Sequence, residues 1–314
     1  MLWLALARAV HIAASVLLAG VFAFRLVVLT PVASRHKRVD QFQPKFTDMW
    51  GRLALVAWSA LLLSALVWFG FVTASITGAA SLLEVDLASL QAVLLQTEFG
   101  HLWAFRVGGC LVLGILLFVG CNEILNAILS FAIAASLAAA GHAGAIVSGV
   151  APLPMIGDIG HLLAAAFWPG GLVPLLVLLL CQYRAVDQSS RRFVADVVRR
   201  FSSVSLIVVG LLLATGLLNT YFIVGSPGAL FTTDYGRLLV LKIALFLLML
   251  GLGAWNLLVL KPRLLRAVTG EPQTGATPAK PIQLLIRSVA CETFLAGGVI
   301  LVVGFLGTTP PPMR

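Results

Sequence analysis

The sequence predicts an all-α polytopic membrane protein with eight transmembrane helices, arranged as two parallel four-helix repeats. Three observations predict it. The composition is 60% hydrophobic and 11% charged over 314 residues, a balance that suits a chain solvated by lipid and not a water-soluble globule. Eight apolar stretches are long enough to cross a bilayer, and short sequence matches recur in the same order in the two halves.

The spans are expected at residues 2 to 30, 50 to 78, 100 to 120, 123 to 141, 158 to 181, 201 to 225, 236 to 260 and 286 to 308. Each should be helical, because an open strand in hydrocarbon leaves its backbone groups unsatisfied. The first stretch lacks the basic region and small-residue cleavage site of a secretory signal, so it reads as a span. The stretch 270 to 281, rich in Pro, Gly and Thr, reads as a loop.

The formal net charge is +9, and fifteen of the 21 Lys and Arg fall in three connections, after the first, fifth and seventh spans. The long connections on the other side carry Glu84, Asp86, Glu98, Asp158 and Asp234. By the positive-inside rule the basic loops face the cytoplasm and both termini face outward. The charge is thus a membrane signature, and no nucleic-acid partner is expected. Cys110, Cys121, Cys181 and Cys291 form no CxxC pair, so no disulfide framework is expected. No Walker motif is present, which argues against ATP drive within the chain, and a non-enzymatic role is expected.

The halves divide at residues 1–150 and 151–314. "HIAASVLLAG" from His11 aligns with "HLLAAAFWPG" from His161, "VDQ" at 39 with "VDQ" at 186, and "TEFGHLWAFR" at 97 with "TDYGRLLVLK" at 233. "CNE" at 121 loosely echoes "CE" at 291. Four spans per half keep both halves in one orientation, as parallel repeats about an axis along the membrane normal. His11 and His161 then become pseudo-equivalent, at similar depth near the interface of the halves.

Topology sorts the histidines. His11, His101, His142 and His161 fall in the outer half or on the outer surface, while His36 lies in a basic loop and reads as solvated. Asp158 and His161 are three apart and share a helix face, with Trp168 two turns further along it. Met155 is close in sequence to His142 and His161 and offers a soft sulfur. Each residue also has a plain structural role open to it. An acid before a helix start is commonly an N-cap, which accounts for Asp158, Glu98 and Asp234 without a ligand. For His11 and His161 the cost of an ionisable group inside a span favours function. Imidazole with carboxylate suits Cu(II) or Zn, and thioether with thiolate suits Cu(I), so the mixture leans toward copper without choosing its oxidation state. Trp168, Glu292, Cys181 and Cys291 are candidates for an exit path; for the cysteines the alternative is simple packing. Pro169, Gly170, Gly171 and Pro174 should weaken the fifth span near its middle.

These residues resemble the copper resistance protein D family of bacterial inner-membrane proteins. The resemblance rests on "ARAVHIAASVLLAG", "DIGHLLAAAFWPGGLVPL", "TTDYGRLLVLKIAL" and "RSVACETFLAGGVILVVGFLGTTPPP", and it runs along nearly the whole chain. It implies an eight-span protein that moves copper from periplasm to cytoplasm, often alongside a small CopC-like periplasmic copper carrier, with His11, His161, Trp168 and Glu292 on family-like motifs. Pro169 departs from the aliphatic residue more usual after the Trp. Two other readings compete: a b-type haem electron carrier, with histidines as axial ligands, and a membrane copper-binding partner that does not transport.

Overall fold

A computed structural model of the chain describes residues 2–36, 43–120, 122–139, 153–183, 188–224, 226–269 and 280–312. Among them there is helix and turn but no strand. The protein is an all-α polytopic membrane protein. His142, Cys121 and most of the 270–281 loop lie outside the described residues.

In chain order the helices are α1 Leu2–Ala23, α2 Gln43–Thr77, α3 Leu87–Gln96, α4 Glu98–Val119, α5 Glu123–Ala135, α6 Leu153–Gln182, α7 Gln188–Ile223, α8 Ala229–Thr232, α9 Asp234–Trp255 and α10 Lys280–Leu306, with Thr30–Ala33 and Lys261–Thr269 as helical continuations of α1 and α9. Seven described helices are long and apolar enough to cross a membrane: α1, α2, α4, α6, α7, α9 and α10. The described part of the fourth expected span is the 13-residue α5 followed by a three-residue 3-10 turn, Ser136–Ala138. At this tightened end the Arg106 guanidinium donates to the Ile133 carbonyl at 2.8 Å and to Ser136 Oγ at 2.5 Å.

Two spans run on through a widened π-helical turn, and proline explains both. Phe24–Leu29 at the end of α1 precedes Pro31, and Asn256–Leu260 at the end of α9 precedes Pro262. A proline ring clashes with the carbonyl four residues back and cannot bond to it, and a wider turn relieves the clash. The Val27 carbonyl, four residues before Pro31, accepts from Arg200 Nε at 2.5 Å, tying α7 to the end of α1. Near that joint His36 Nε2 lies 2.9 Å from Asp196 Oδ2 and edge-on to Phe193. His36 is therefore held by a carboxylate and a ring, where the sequence suggested simple solvation.

The helices α1 and α6 form the centre of the bundle. Of their apolar stretches 67% and 61% are buried inside the protein, against 33% or less in the other five, whose remaining surface is left to lipid. Their contact is close because both offer glycine at the crossing. A Cβ on Gly20 would stand 2.4 Å from the backbone carbon of Gly170, and one on Gly170 would stand 2.3 Å from the Val16 carbonyl oxygen. Despite Pro169 and Pro174, α6 is continuous from Leu153 to Gln182. The expected weak point is thus the place where two backbones pack together, as small residues allow in membranes.

The two ends of the chain lie at one end of the bundle, where Arg8 Nη1 donates to the Gly307 carbonyl at 3.1 Å. This is the terminal end; the end carrying the Arg- and Lys-rich connections is the basic end.

Candidate functional site

The helix α6 starts at the terminal end and presents Asp158 and His161 on one face, three residues apart. Thr215 on α7 approaches the ring, with its Oγ1 3.1 Å from His161 Nδ1. That hydroxyl donates its own hydrogen back to the Leu211 carbonyl at 2.7 Å. It can then only accept from the ring, so Nδ1 carries the proton and Nε2 carries the lone pair. Nε2 has no hydrogen-bond partner among the described residues. Gly216 beside Thr215 leaves room for the ring: a Cβ there would lie 3.5 Å from His161 Cε1.

The imidazole borders a cavity of about 140 Å³ enclosed by α1, α6, α7, α9 and α10. Its polar lining includes Arg8, Asp158, Asn219, Tyr235 and Lys242. Asn219 Nδ2 donates to Asp158 Oδ1 at 3.2 Å.

His11 on α1 has nearly the same arrangement with one decisive change. Ser64 Oγ on α2 stands 3.1 Å from His11 Nδ1 and donates to the Leu61 carbonyl at 3.0 Å, so Nδ1 again carries the proton. Here, however, Arg106 Nη2 lies 2.7 Å from Nε2 and donates to it. The ring of Trp68 lies 5.2 Å from the imidazole, and the Arg8 guanidinium stands 5.9 Å above Trp68. His11 is 1% exposed with both nitrogens engaged. The sequence reading brought His11 and His161 together; the structure gives each imidazole its own hydroxyl and its own surroundings.

The correspondence between these environments extends residue by residue. Arg8 precedes His11 by three, as Asp158 precedes His161; Trp68 follows Ser64 by four, as Asn219 follows Thr215; Arg106 follows Thr97 by nine, as Lys242 follows Thr233. The Thr97 hydroxyl accepts from the Gly100 amide at 2.9 Å and donates to the Val93 carbonyl at 2.6 Å. The Thr233 hydroxyl accepts from the Gly236 amide at 3.0 Å and donates to the Ala229 carbonyl at 2.7 Å. Both glycines are required, since a Cβ on either would come within 2.1 Å of a carbonyl of the short helix before it, α3 or α8. The echo of "CNE" by "CE" has no such counterpart. Glu123 pairs with Arg25 at the start of α5, whereas Glu292 lies deep within α10.

Other expected site residues are scattered. His101 is exposed, its Nε2 3.0 Å from the Leu95 carbonyl at the end of α3. Arg237 plays the same part in the second half, its Nε donating to the Phe231 carbonyl at 3.2 Å. Met155 is half-buried in the first turn of α6. Cys181 is exposed with its sulfur 3.4 Å from Met49 Sδ, and Cys291 is exposed on α10. Among the described residues no group of three or more His, Cys, Asp and Glu is placed to hold a metal ion.

Trp168 and Glu292 do come together, and in doing so form a second cavity of about 140 Å³, nearer the basic end than the first. Glu292 is 2% exposed and hydrogen-bonded by the Asn256 amide. It stands twelve residues into α10, about three turns from the helix start. The span expected at 286 to 308 puts Glu292 about one turn in, and the helix itself starts earlier, at Lys280.

The family described as Copper resistance protein D matches residues 195–306, and its related N-terminal domain, Copper resistance protein D-like, matches residues 1–151. Copper resistance protein D of Pseudomonas syringae pv. tomato is 31% identical over 306 residues, covering 95% of this chain and 93% of that protein. The chain belongs to the copper resistance protein D family. That is a family of copper resistance and transport proteins rather than of enzymes. Copper transport protein CutJ of Bacillus subtilis is 40% identical over 119 residues, which cover 38% of this chain and only 21% of that longer protein. Inner membrane protein YebZ of Escherichia coli is 28% identical over 230 residues, covering 73% of this chain and 74% of that protein. No solved structure matches the chain.

Proposed function

We propose that this family member carries copper across the bacterial inner membrane, from periplasm to cytoplasm, and that the ion is first taken up in the cavity beside His161. The observation that carries this reading is the state of that ring. Thr215 fixes Nδ1–H and thereby aims an unpartnered Nε2 lone pair at a polar cavity near the terminal end. A metal-binding imidazole is commonly held in this way, with its other N–H donated to an oxygen. Asp158 adds a carboxylate one turn away, and Met155 and His142 are the nearest further candidate ligands in sequence.

Arg8 and Lys242 border the same cavity. Two cations beside one carboxylate make it a poor permanent seat for a metal ion, and a transport site requires binding weak enough to release its cargo. The same charge balance favours copper handed over by a carrier, and a CopC-like periplasmic protein is the partner we propose. Both termini are then periplasmic and the Arg- and Lys-rich connections cytoplasmic.

The first half supplies the scaffold. We read residues 1–150 and 151–314 as duplicated units in which the position of Nε2 is filled by Arg106 in one and left open in the other. Copper uptake into proteoliposomes containing the wild type and His161→Ala tests the proposal. Uptake by the wild type and its loss in the variant support it. Copper bound outside with no accumulation inside would favour a non-transporting partner, and a haem absorbance spectrum of the purified protein would favour an electron carrier.

A further inference from the structure

The second cavity contains oxygen atoms with too few partners. Among the described residues Glu292 is its one titratable lining residue, 2% exposed, with only the neutral Asn256 amide hydrogen-bonded to its carboxyl. Asn256 Oδ1 and Ser205 Oγ are buried without a hydrogen-bond partner, and Ser205 is 8% exposed. Apart from Ser202 and the indole of Trp168, the remaining walls, including Leu172 and Phe201, are apolar. None of the four helices lining the space, α6, α7, α9 with its π-helical turn, and α10, places a Lys, Arg or His in it. The π-helical turn before Pro262 begins at Asn256, whose amide reaches Glu292 on α10.

An unpaired negative charge in such a space would cost several kcal/mol, so the carboxyl must be balanced either by its own proton or by a cation passing nearby. Hard oxygen donors are poorly matched to Cu(I), which prefers sulfur and imidazole. They are too few for sodium or another hard metal ion, but suit a proton with one or two waters, for which the cavity has room. Buried oxygens without a partner, such as Asn256 Oδ1 and Ser205 Oγ, are where such waters bind.

We propose that Glu292 is a proton-exchange site that couples copper movement to proton counter-movement. The proposal rests on the transport reading above. As a monovalent copper ion crosses, the Glu292 O–H bond breaks, the proton passes to cavity water and leaves to the opposite side, and the carboxylate balances the passing charge. When copper has left, a proton from the cytoplasmic side restores the O–H bond. One positive charge replaces another, and copper keeps its oxidation state.

The test uses the full-length protein in proteoliposomes with a pH-sensitive dye inside, and Cu(I) kept reduced outside. Wild type should accumulate copper while the lumen becomes more alkaline, and Glu292→Gln should abolish the alkalinisation. Copper accumulation with no pH change, or wild-type alkalinisation in Glu292→Gln, would overturn the coupling. No copper accumulation at all would overturn the transport reading instead. In that event infrared difference spectra still decide the proton site. A protonated-carboxyl band that shifts in D2O and is missing from Glu292→Gln supports it, and an identical band in the variant refutes it. Glu292→Asp, which keeps the carboxyl, should retain the band and separates proton exchange from packing.

Discussion

Gly20 and Gly170 meet backbone to backbone where α1 crosses α6, each leaving no room for a Cβ on the other. The two glycines are related as His11 is to His161, nine residues along each helix. Their contact is reciprocal: a Cβ on Gly20 would press on the Ala166 carbonyl at 2.7 Å and one on Gly170 on the Val16 carbonyl at 2.3 Å. Self-complementary contact of this kind is expected where a two-fold relationship passes through an interface.

Gly20→Ala and Gly170→Ala should therefore each destabilise the bundle, by about 1–3 kcal/mol as overpacking typically does. Gly210→Ala is the control, because nothing lies within 4 Å of a Cβ there. Thermal unfolding in detergent should show a lowered transition for the first two and none for the control. Equal transitions in all three would contradict the crossing.

Thr215→Val keeps the side-chain volume and removes the oxygen that accepts from His161 Nδ1–H. Copper affinity should fall about 10–100-fold, the usual effect of losing an outer hydrogen bond to a metal-binding His. Thr215→Ser should behave like the wild type. Isothermal titration of the purified protein with copper checks both.

His11→Ala should act on stability and leave copper binding at His161 intact. It removes the acceptor for Arg106 Nη2 deep in the first half, and leaving a buried donor short of its acceptor costs about 1–3 kcal/mol. His11→Gln, which can offer an oxygen to the guanidinium, should recover part of the loss. Copper binding lost in a folded His11→Ala protein would show that the first half holds metal after all.

Reporter fusions after residues 40, 190 and 275 should all score cytoplasmic, since they fall in the three basic connections. A periplasmic score at 190 would break both the orientation and the four-plus-four arrangement.

The spans were legible because the bilayer leaves a chain of this composition so few choices, and the Thr-to-cation motifs were legible because the cap geometry fixes residue types at Thr97, Gly100, Thr233 and Gly236. The hydroxyls that orient the imidazoles were not read. Ser64 and Thr215 sit in runs of apolar residues, where one Ser or Thr looks like ordinary helix packing. A signal did exist: residues 64 and 215 are 151 apart, close to the spacing of 150 between the histidines. The difference between the halves was also out of reach. Arg106 and Lys242 align, and only packing shows that Arg106 reaches His11 Nε2 while the corresponding ring faces open space. Of the fourth span, expected at 123 to 141, the described residues show helix from Glu123 and a 3-10 turn to Ala138, and its last two residues lie outside them.

The central claim is that His161, and not its counterpart His11, receives the copper. The most direct measurement is copper accumulation in proteoliposomes reconstituted with equal amounts of folded wild type, His161→Ala and His11→Gln. The account predicts uptake by the wild type and by His11→Gln, and none above empty vesicles for His161→Ala. Wild-type uptake by His161→Ala would contradict it.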